Sequence, residues 1–238
     1  VLSLVFRLSS HGYANHQPND RCFQQNIRNQ ITKRSAKMAY EVPERLKKQL
    51  DFILQADAEK EIERRTLLSS GKRFENDAEH AWHMALMAIL LSEYANEEID
   101  LLKTVTMILI HDIVEIDAGD TYCYDYESGK TQREREIKAA YRIYSLLPED
   151  QGKKLRALWE EFEKNETPEA NFAHAMDCLQ PTMLNNASGG VMWKKNGIRL
   201  TQVLKRNEYT PKGSQALWDY QLNELIMKNV EKGNLKNE

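Results

Sequence analysis

From Met38 onward, apolar positions recur at helical rather than strand spacing. Leu46, Leu50, Ile53 and Leu54 share one face behind Pro43, which predicts a helix over about 43–56. The stretch DAEHAWHMALMAILLSEYA opens on an Asn76/Asp77 capping signal and is apolar nearly all round, the pattern of a buried helix. EEIDLLKTVTMILIHDIVEI reads the same way. AGDTYCYDYESGK, with Gly119, Gly129 and several turn formers, predicts a loop. Further helices are expected through QREREIKAAYRIYSLL, EDQGKKLRALWEEFEKN and PEANFAHAMDCLQPTMLNNA, with Pro148 and Gly152 punctuating the first pair and Pro168 opening the third. The SGG at 188–190 predicts a hinge, followed by two shorter helices. No alternating strand of five or more residues stands out, so the expectation is a single, compact, all-α domain over 38–238.

Residues 1–37 break this pattern. They carry six basic residues against the single acid Asp20, and Asn, Gln and Ser dominate their middle. Such a segment buries too little apolar surface to offset chain entropy and is expected to be disordered. It reads either as a basic organellar leader or, the favoured alternative, as sequence upstream of a start at Met38, since the chain begins with Val1. Overall charge narrows the field further. A net charge of -3 and a pI near 6.1 argue against a general nucleic-acid binder. No run approaches the ~18 apolar residues of a membrane span. Cys22, Cys123 and Cys178 are widely spaced, which suits free thiols in a reducing, cytoplasmic setting.

The chemistry concentrates in ILIHDIVEIDAGD. His111 and Asp112 interrupt an apolar helix, and burying both is costly unless something compensates. A buried hydrogen-bonded pair would suffice for the dipeptide alone. His80, near the start of an earlier apolar helix, and Asp177, among apolar neighbours on a later one, extend the set to two imidazoles and two carboxylates. That is a donor set for Zn, Mn, Fe or Co. Glu115, four residues after His111 and three after Asp112, is expected on the same helix face, where a carboxylate can move a proton. His83, three residues after His80, could join or replace it, although its expected place is in the core or behind the site. His174 could extend the site to two metals, but residues 113–173 supply no further ligands, so one metal is expected. Asp117 and Asp125 read as loop or helix-end carboxylates.

The ordered set H…HD…D resembles the HD superfamily of metal-dependent phosphohydrolases. AEH at 78–80, HDxxE at 111–115 and GD at 119–120 resemble its 5′-deoxynucleotidase branch, as do DCLQPTMLNN, SGG, the spacing of Trp193 to Ile198, VLKRN and LWDY. The resemblance spans roughly 45 to 230. It implies one divalent cation (Mn, Co, Fe, Zn or Mg) on His80, His111, Asp112 and Asp177. It makes Glu115 the proton-transfer residue and Asp120 a catalytic contact near sugar, water and phosphate. It gives the phosphate to Arg64 or Arg65, between which spacing does not choose. The implied reaction is hydrolysis of nucleoside 5′-monophosphates, deoxynucleotides included, and a homodimer is compatible with it. Relatives in this branch place a tryptophan right after the arginine, where this chain has Thr66 and Leu67, which weakens the expectation of deoxyribose preference. The competing readings are an HD hydrolase of a phosphodiester or signalling nucleotide, and a non-enzymatic helical module with a structural metal.

Overall fold

The computed structural model describes residues 41–238 together with 25, 26, 28 and 29, these four being helical and exposed. The expectation for residues 1–37 otherwise lies outside the described residues. Glu44–Glu238 forms one compact unit.

Helix α1 (Glu44–Ala56) leads through a 3₁₀ turn (Asp57–Glu61) into strand β1 (Glu63–Leu67), which pairs antiparallel with β2 (Phe74–Asn76). This hairpin departs from the all-helical expectation. Its inward position is Arg64, while Glu63 and Arg65 face out, so the alternation is one of charges and carries no apolar signal. Helices α2 (Asp77–Leu91) and α3 (Leu101–Ile110) follow, each with a side-chain cap. Asn76 and Glu79 form a capping box on α2, and Asp100 accepts from the Lys103 amide at 3.0 Å.

The helix expected to run on to Ile116 ends instead at Ile110, giving a 3₁₀ turn (Asp112–Val114) and the short α4 (Glu115–Ala118). Two carbonyls of the last turn are taken by side chains. His111 Nδ1 donates to Ile108 O at 2.7 Å and the Tyr144 hydroxyl to Ile110 O at 2.9 Å. Each competes with the amide that would continue the ladder. Gly119, at φ +74°, then turns the chain where a side chain would be strained.

Helices α5 (Tyr126–Tyr144), α6 (Glu149–Lys164) and α7 (Pro168–Ala187) complete the bundle. The first starts earlier than expected, taking up the end of the predicted loop. Thr167 caps α7, with Pro168 at its first position. Where two C-terminal helices were expected there are five short ones: α8 (Val191–Lys195), α9 (Leu200–Arg206), α10 (Thr210–Gly213), α11 (Gln215–Tyr220) and α12 (Met227–Glu231), with a π turn (Gln221–Ile226) before the last. Buried Gln221 ties them to α7, donating to Cys178 O at 3.1 Å and Thr182 Oγ1 at 2.9 Å.

The main core lies where α2, α3 and α7 meet, with Met84, Met107, Ile108, Phe172, Met176 and Leu179 fully or almost fully buried. Each such side chain contributes roughly 1.5–3 kcal/mol. A second cluster around Ile143, Tyr144 and Trp159 packs α5 and α6 behind the 3₁₀ turn, and a third around Trp193, Val203 and Ile226 holds the C-terminal helices. The expectation that α2 is buried all round fails. Ala81, Met84, Ala85 and Ala88 face the core, but Trp82, Ile89 and Leu90 are more than half exposed because no described element covers that side. On α1, Leu50, Ile53 and Leu54 are likewise exposed and Phe52 is the buried anchor.

Candidate metal centre

Three apolar helical segments deliver the central residues. His80 sits in the first turn of α2 and is fully buried; His111 and Asp112 follow α3, and Asp177 lies midway along α7. Donor atoms of His80, His111 and Asp112 all lie within 4.8 Å of one another, the group among the described residues able to hold a metal. Asp177 Oδ1 is 3.2 Å from His80 Nε2, and His111 Nε2 is 3.1 Å from Asp112 Oδ1. The His111 Nδ1 proton is committed to the Ile108 carbonyl, which leaves Nε2 as its donor to a metal. Buried imidazoles and carboxylates facing one another make a mixed nitrogen and oxygen set suited to a divalent cation.

The electrostatics of these residues are polarised. Burial holds the His80 pKa down to about 4, aided by Arg64 and only partly opposed by Asp177. Burial also acts against the charged form of His111, but the adjoining Asp112 outweighs it and raises the pKa to about 9. Against burial, His111 and Arg64 hold Asp112 low, while Arg206 and His80 do the same for Asp177. Glu115 is pushed up to about 11 by burial and by the charges of Asp112, Asp77 and Asp120. Its Oε2 is buried with no hydrogen-bond partner.

His111, Asp112 and Asp177 border a cavity of about 410 Å³, with the fully buried His80 outside its lining. Glu115 and Asp120 both line it, although Glu115 arrives by the 3₁₀ turn and a new helix, not by the continuous helical offset expected. Arg64 lies beside the cluster, its Nη1 donating to Asp77 Oδ1 and Asp112 Oδ2, both at 2.9 Å. Arg65 stands at another wall, its guanidinium 5.3 Å from the centre of the Tyr122 ring. Both arginines lie on strand β1. Thr66 also lines the cavity.

Of the remaining candidates, His174, Cys123 and Cys178 also line the cavity, whereas His83, Asp117 and Asp125 are not among its lining residues. His174 Nε2 donates to the Phe162 carbonyl at 2.8 Å and its ring stacks on Phe162, 4.0 Å between centres. His83 lies behind His80, its Nδ1 3.2 Å from Gln180 Nε2. Asp117 pairs with Arg142, and Asp125 Oδ1 accepts from the Glu127 amide at the start of α5. Cys123 and Cys178 are free thiols, and Cys22 lies outside the described residues.

Sequence reasoning missed four participants. Asp77, read only as part of a cap, is fully buried and holds Arg64. Arg206 donates to Asp177 Oδ2 at 2.6 Å, so one carboxylate oxygen is fixed while the other faces His80. Glu75 and Gln180 are buried behind His80. Only Gln180 left a local trace, one helical turn after Asp177.

A family model described as HD domain matches residues 56–218. The chain belongs to the HD domain family. The crystal structure of a predicted metal-dependent phosphohydrolase from Magnetospirillum magnetotacticum MS-1 is similar to it, with TM-score 0.77 and 45% identity, covering 81% of this chain and 96% of that one. Among curated proteins, the 5′-deoxynucleotidase HDDC2 of Homo sapiens is 33% identical over 106 residues, 44% of this chain and 50% of that protein. The Bos taurus protein of the same name is 34% identical over 104 residues, covering 43% and 49%. This HD domain chain thus spans about half the length of the curated relatives it matches. Among the described residues, no helix is long and apolar enough to cross a membrane.

Proposed function

We propose that this HD domain chain hydrolyses nucleoside 5′-monophosphates, deoxynucleotides among them, to nucleoside and phosphate. The carrying observation is the buried His80, His111 and Asp112 cluster opening into a cavity that also holds Glu115, Asp120 and two arginines. The likeness to proteins named 5′-deoxynucleotidase supports the substrate class.

A divalent cation on His80, His111, Asp112 and Asp177 (Mn, Co, Fe, Zn or Mg) would supply Lewis acidity to a phosphoryl oxygen and lower the pKa of a water. Arg64, beside Asp112, is the proposed phosphate clamp, and Arg65 the second cation at the Tyr122 wall. Glu115, with its unpartnered Oε2, moves the proton at the attacking water or the leaving 5′-oxygen. Asp120 accepts from the sugar or that water. With Arg64 as clamp, the next position is Arg65, and no tryptophan ring stands there to exclude a 2′-hydroxyl. Deoxyribose selectivity should accordingly be weak.

Phosphate release from nucleoside monophosphates, with Mn, Co, Mg and Zn compared, tests this reading. Turnover of a diester but of no monophosphate would favour the phosphodiester alternative. Release from nothing offered would leave a helical interaction module.

Residues 38–238 are the proposed catalytic unit and 1–37 a dispensable extension; removing 1–37 should leave turnover and melting temperature unchanged in a paired assay. The exposed Trp82, Ile89 and Leu90 support a homodimer through α2, which light scattering of Leu90→Arg against the parent chain would test. The free thiols Cys123 and Cys178 support a reducing, cytoplasmic location.

A further inference from the structure

Behind the metal centre, on the side away from the cavity, lies a buried polar chain with no place in the chemistry above. Gln180 Oε1 lies 3.0 Å from His80 Nδ1, and Gln180 Nε2 donates to Glu75 Oε2 at 2.8 Å. The same nitrogen is 3.2 Å from His83 Nδ1. Gln180 and His80 are fully buried and Glu75 is 1% exposed, so no surface water can substitute for a lost partner. An unmet buried polar group costs about 1–3 kcal/mol, a strong restraint on which way each group points.

The orientation of this chain follows from its far end. Burial raises the Glu75 pKa to about 7, but Arg64 Nε, 3.6 Å from Oε1, and the Gln180 amide favour its charged form. A carboxylate accepts without donating, so Glu75 requires the amide nitrogen of Gln180. His83 Nδ1, as an acceptor, takes the second proton of the same nitrogen. A flipped amide would set its oxygen against the Glu75 carboxylate, a clash that His83, able to donate or accept, does not relieve. The Gln180 oxygen therefore faces His80 and can only accept, which places the imidazole proton on Nδ1. His80 Nε2 is then the bare nitrogen, on the side where Asp177 Oδ1 lies.

We propose that Gln180, oriented by Glu75, is a positioning residue that fixes the His80 tautomer and presents its Nε2 lone pair to the cation. The proposal rests on the reading of His80 as a ligand. It explains why an amide and a carboxylate are buried where an apolar pair would pack at less cost. A partner that orients a ligating histidine commonly carries about 10–100-fold in metal affinity.

The test uses the full chain, with Mn²⁺ alone as probe and paramagnetic resonance as readout. Gln180→Leu should weaken Mn²⁺ uptake about 10–100-fold. Gln180→Glu should weaken it too, because two carboxylates then face each other. Adding Glu75→Gln to Gln180→Glu restores an acceptor toward His80 and a donor behind it, and affinity should return to within a few-fold of the parent. Recovery in the double variant distinguishes orientation from loss of fold. Nitrogen shifts of the His80 ring in the cation-free parent should show a protonated Nδ1 and a bare Nε2. The opposite tautomer, or parent-like affinity in Gln180→Leu, overturns the proposal. A parent chain that takes up no Mn²⁺ would overturn the metal centre itself, a result separable from failure of the relay.

Discussion

The two walls of the cavity are built by different physics. On one side His111, Asp112 and Asp177, with the fully buried His80 beside Asp177, come from helical segments whose apolar neighbours form the main core. Their backbones are set by packing, and His111 is locked to a backbone carbonyl. On the other side stand Arg64 and Arg65 of a short hairpin, and Asp120 and Tyr122 of the segment after Gly119. Polar groups hold polar groups there, as Asp77 and Asp112 hold Arg64. Helix packing gives the first wall position independent of charge. The second is placed by charge, so its order depends on every partner being present.

Removing a ligand from the helical wall should have the largest effect. His80→Ala or Asp177→Ala should lose the cation and cut turnover by roughly 10³-fold or more, several kcal/mol of charge stabilisation. Elemental analysis checks the first part, and full occupancy in both variants would remove these residues from the site. Next comes Arg64→Ala, which strands Asp77 and Asp112 without their cation. Breaking a buried pair in this way typically costs about 3–5 kcal/mol, so a clear fall in melting temperature is expected even without substrate. An unchanged melting temperature would mean that the hairpin wall does not depend on that pairing.

Glu115→Gln lies between the walls. It should keep cation and fold and lose roughly 10²-fold or more in turnover, the scale of general acid–base catalysis. Near-normal rates would point to Asp120, and loss of the cation would make Glu115 a ligand.

The smallest effect sharpens the comparison through pH. The raised His111 pKa, about 9 against 6.5 for a free imidazole, stabilises the fold. That contribution is fully present below pH 6.5 and disappears as pH rises through about 9. A cation must displace the same proton, so uptake at pH 7 should release about one proton and tighten as pH rises. Calorimetry in two buffers of different ionisation heat reads this directly; identical apparent heats would mean that His111 is already neutral.

The helical wall was legible because a polar residue inside an apolar helix is conspicuous. His111 and Asp112 stand out against Ile108, Leu109 and Ile110, and Asp177 against Met176 and Cys178. The hairpin wall left no such contrast. Arg64 and Arg65 are adjacent charges in a charged stretch, and only the strand's alternation sends one to the cluster and the other to Tyr122. Glu115, expected beside the site by its helical offset, does line the cavity, but it arrives by another route, since the helix stops at Ile110.

By itself, then, the sequence determined the helical class, the starts of the helices marked by caps and prolines at Asn76, Pro148 and Pro168, and the interrupted apolar segments that carry His80, His111, Asp112 and Asp177. These are local properties, set by periodicity and by which side chains can satisfy the first amides of a helix. Tertiary structure alone decided the rest. The tyrosine that ends α3 is 34 residues from the carbonyl it takes, and the amide that orients His80 is 100 residues away. Which face of α2 stays uncovered also depended on where α3 and α7 came to lie. No local pattern encodes these choices, because each is made by a partner that only folding brings into reach.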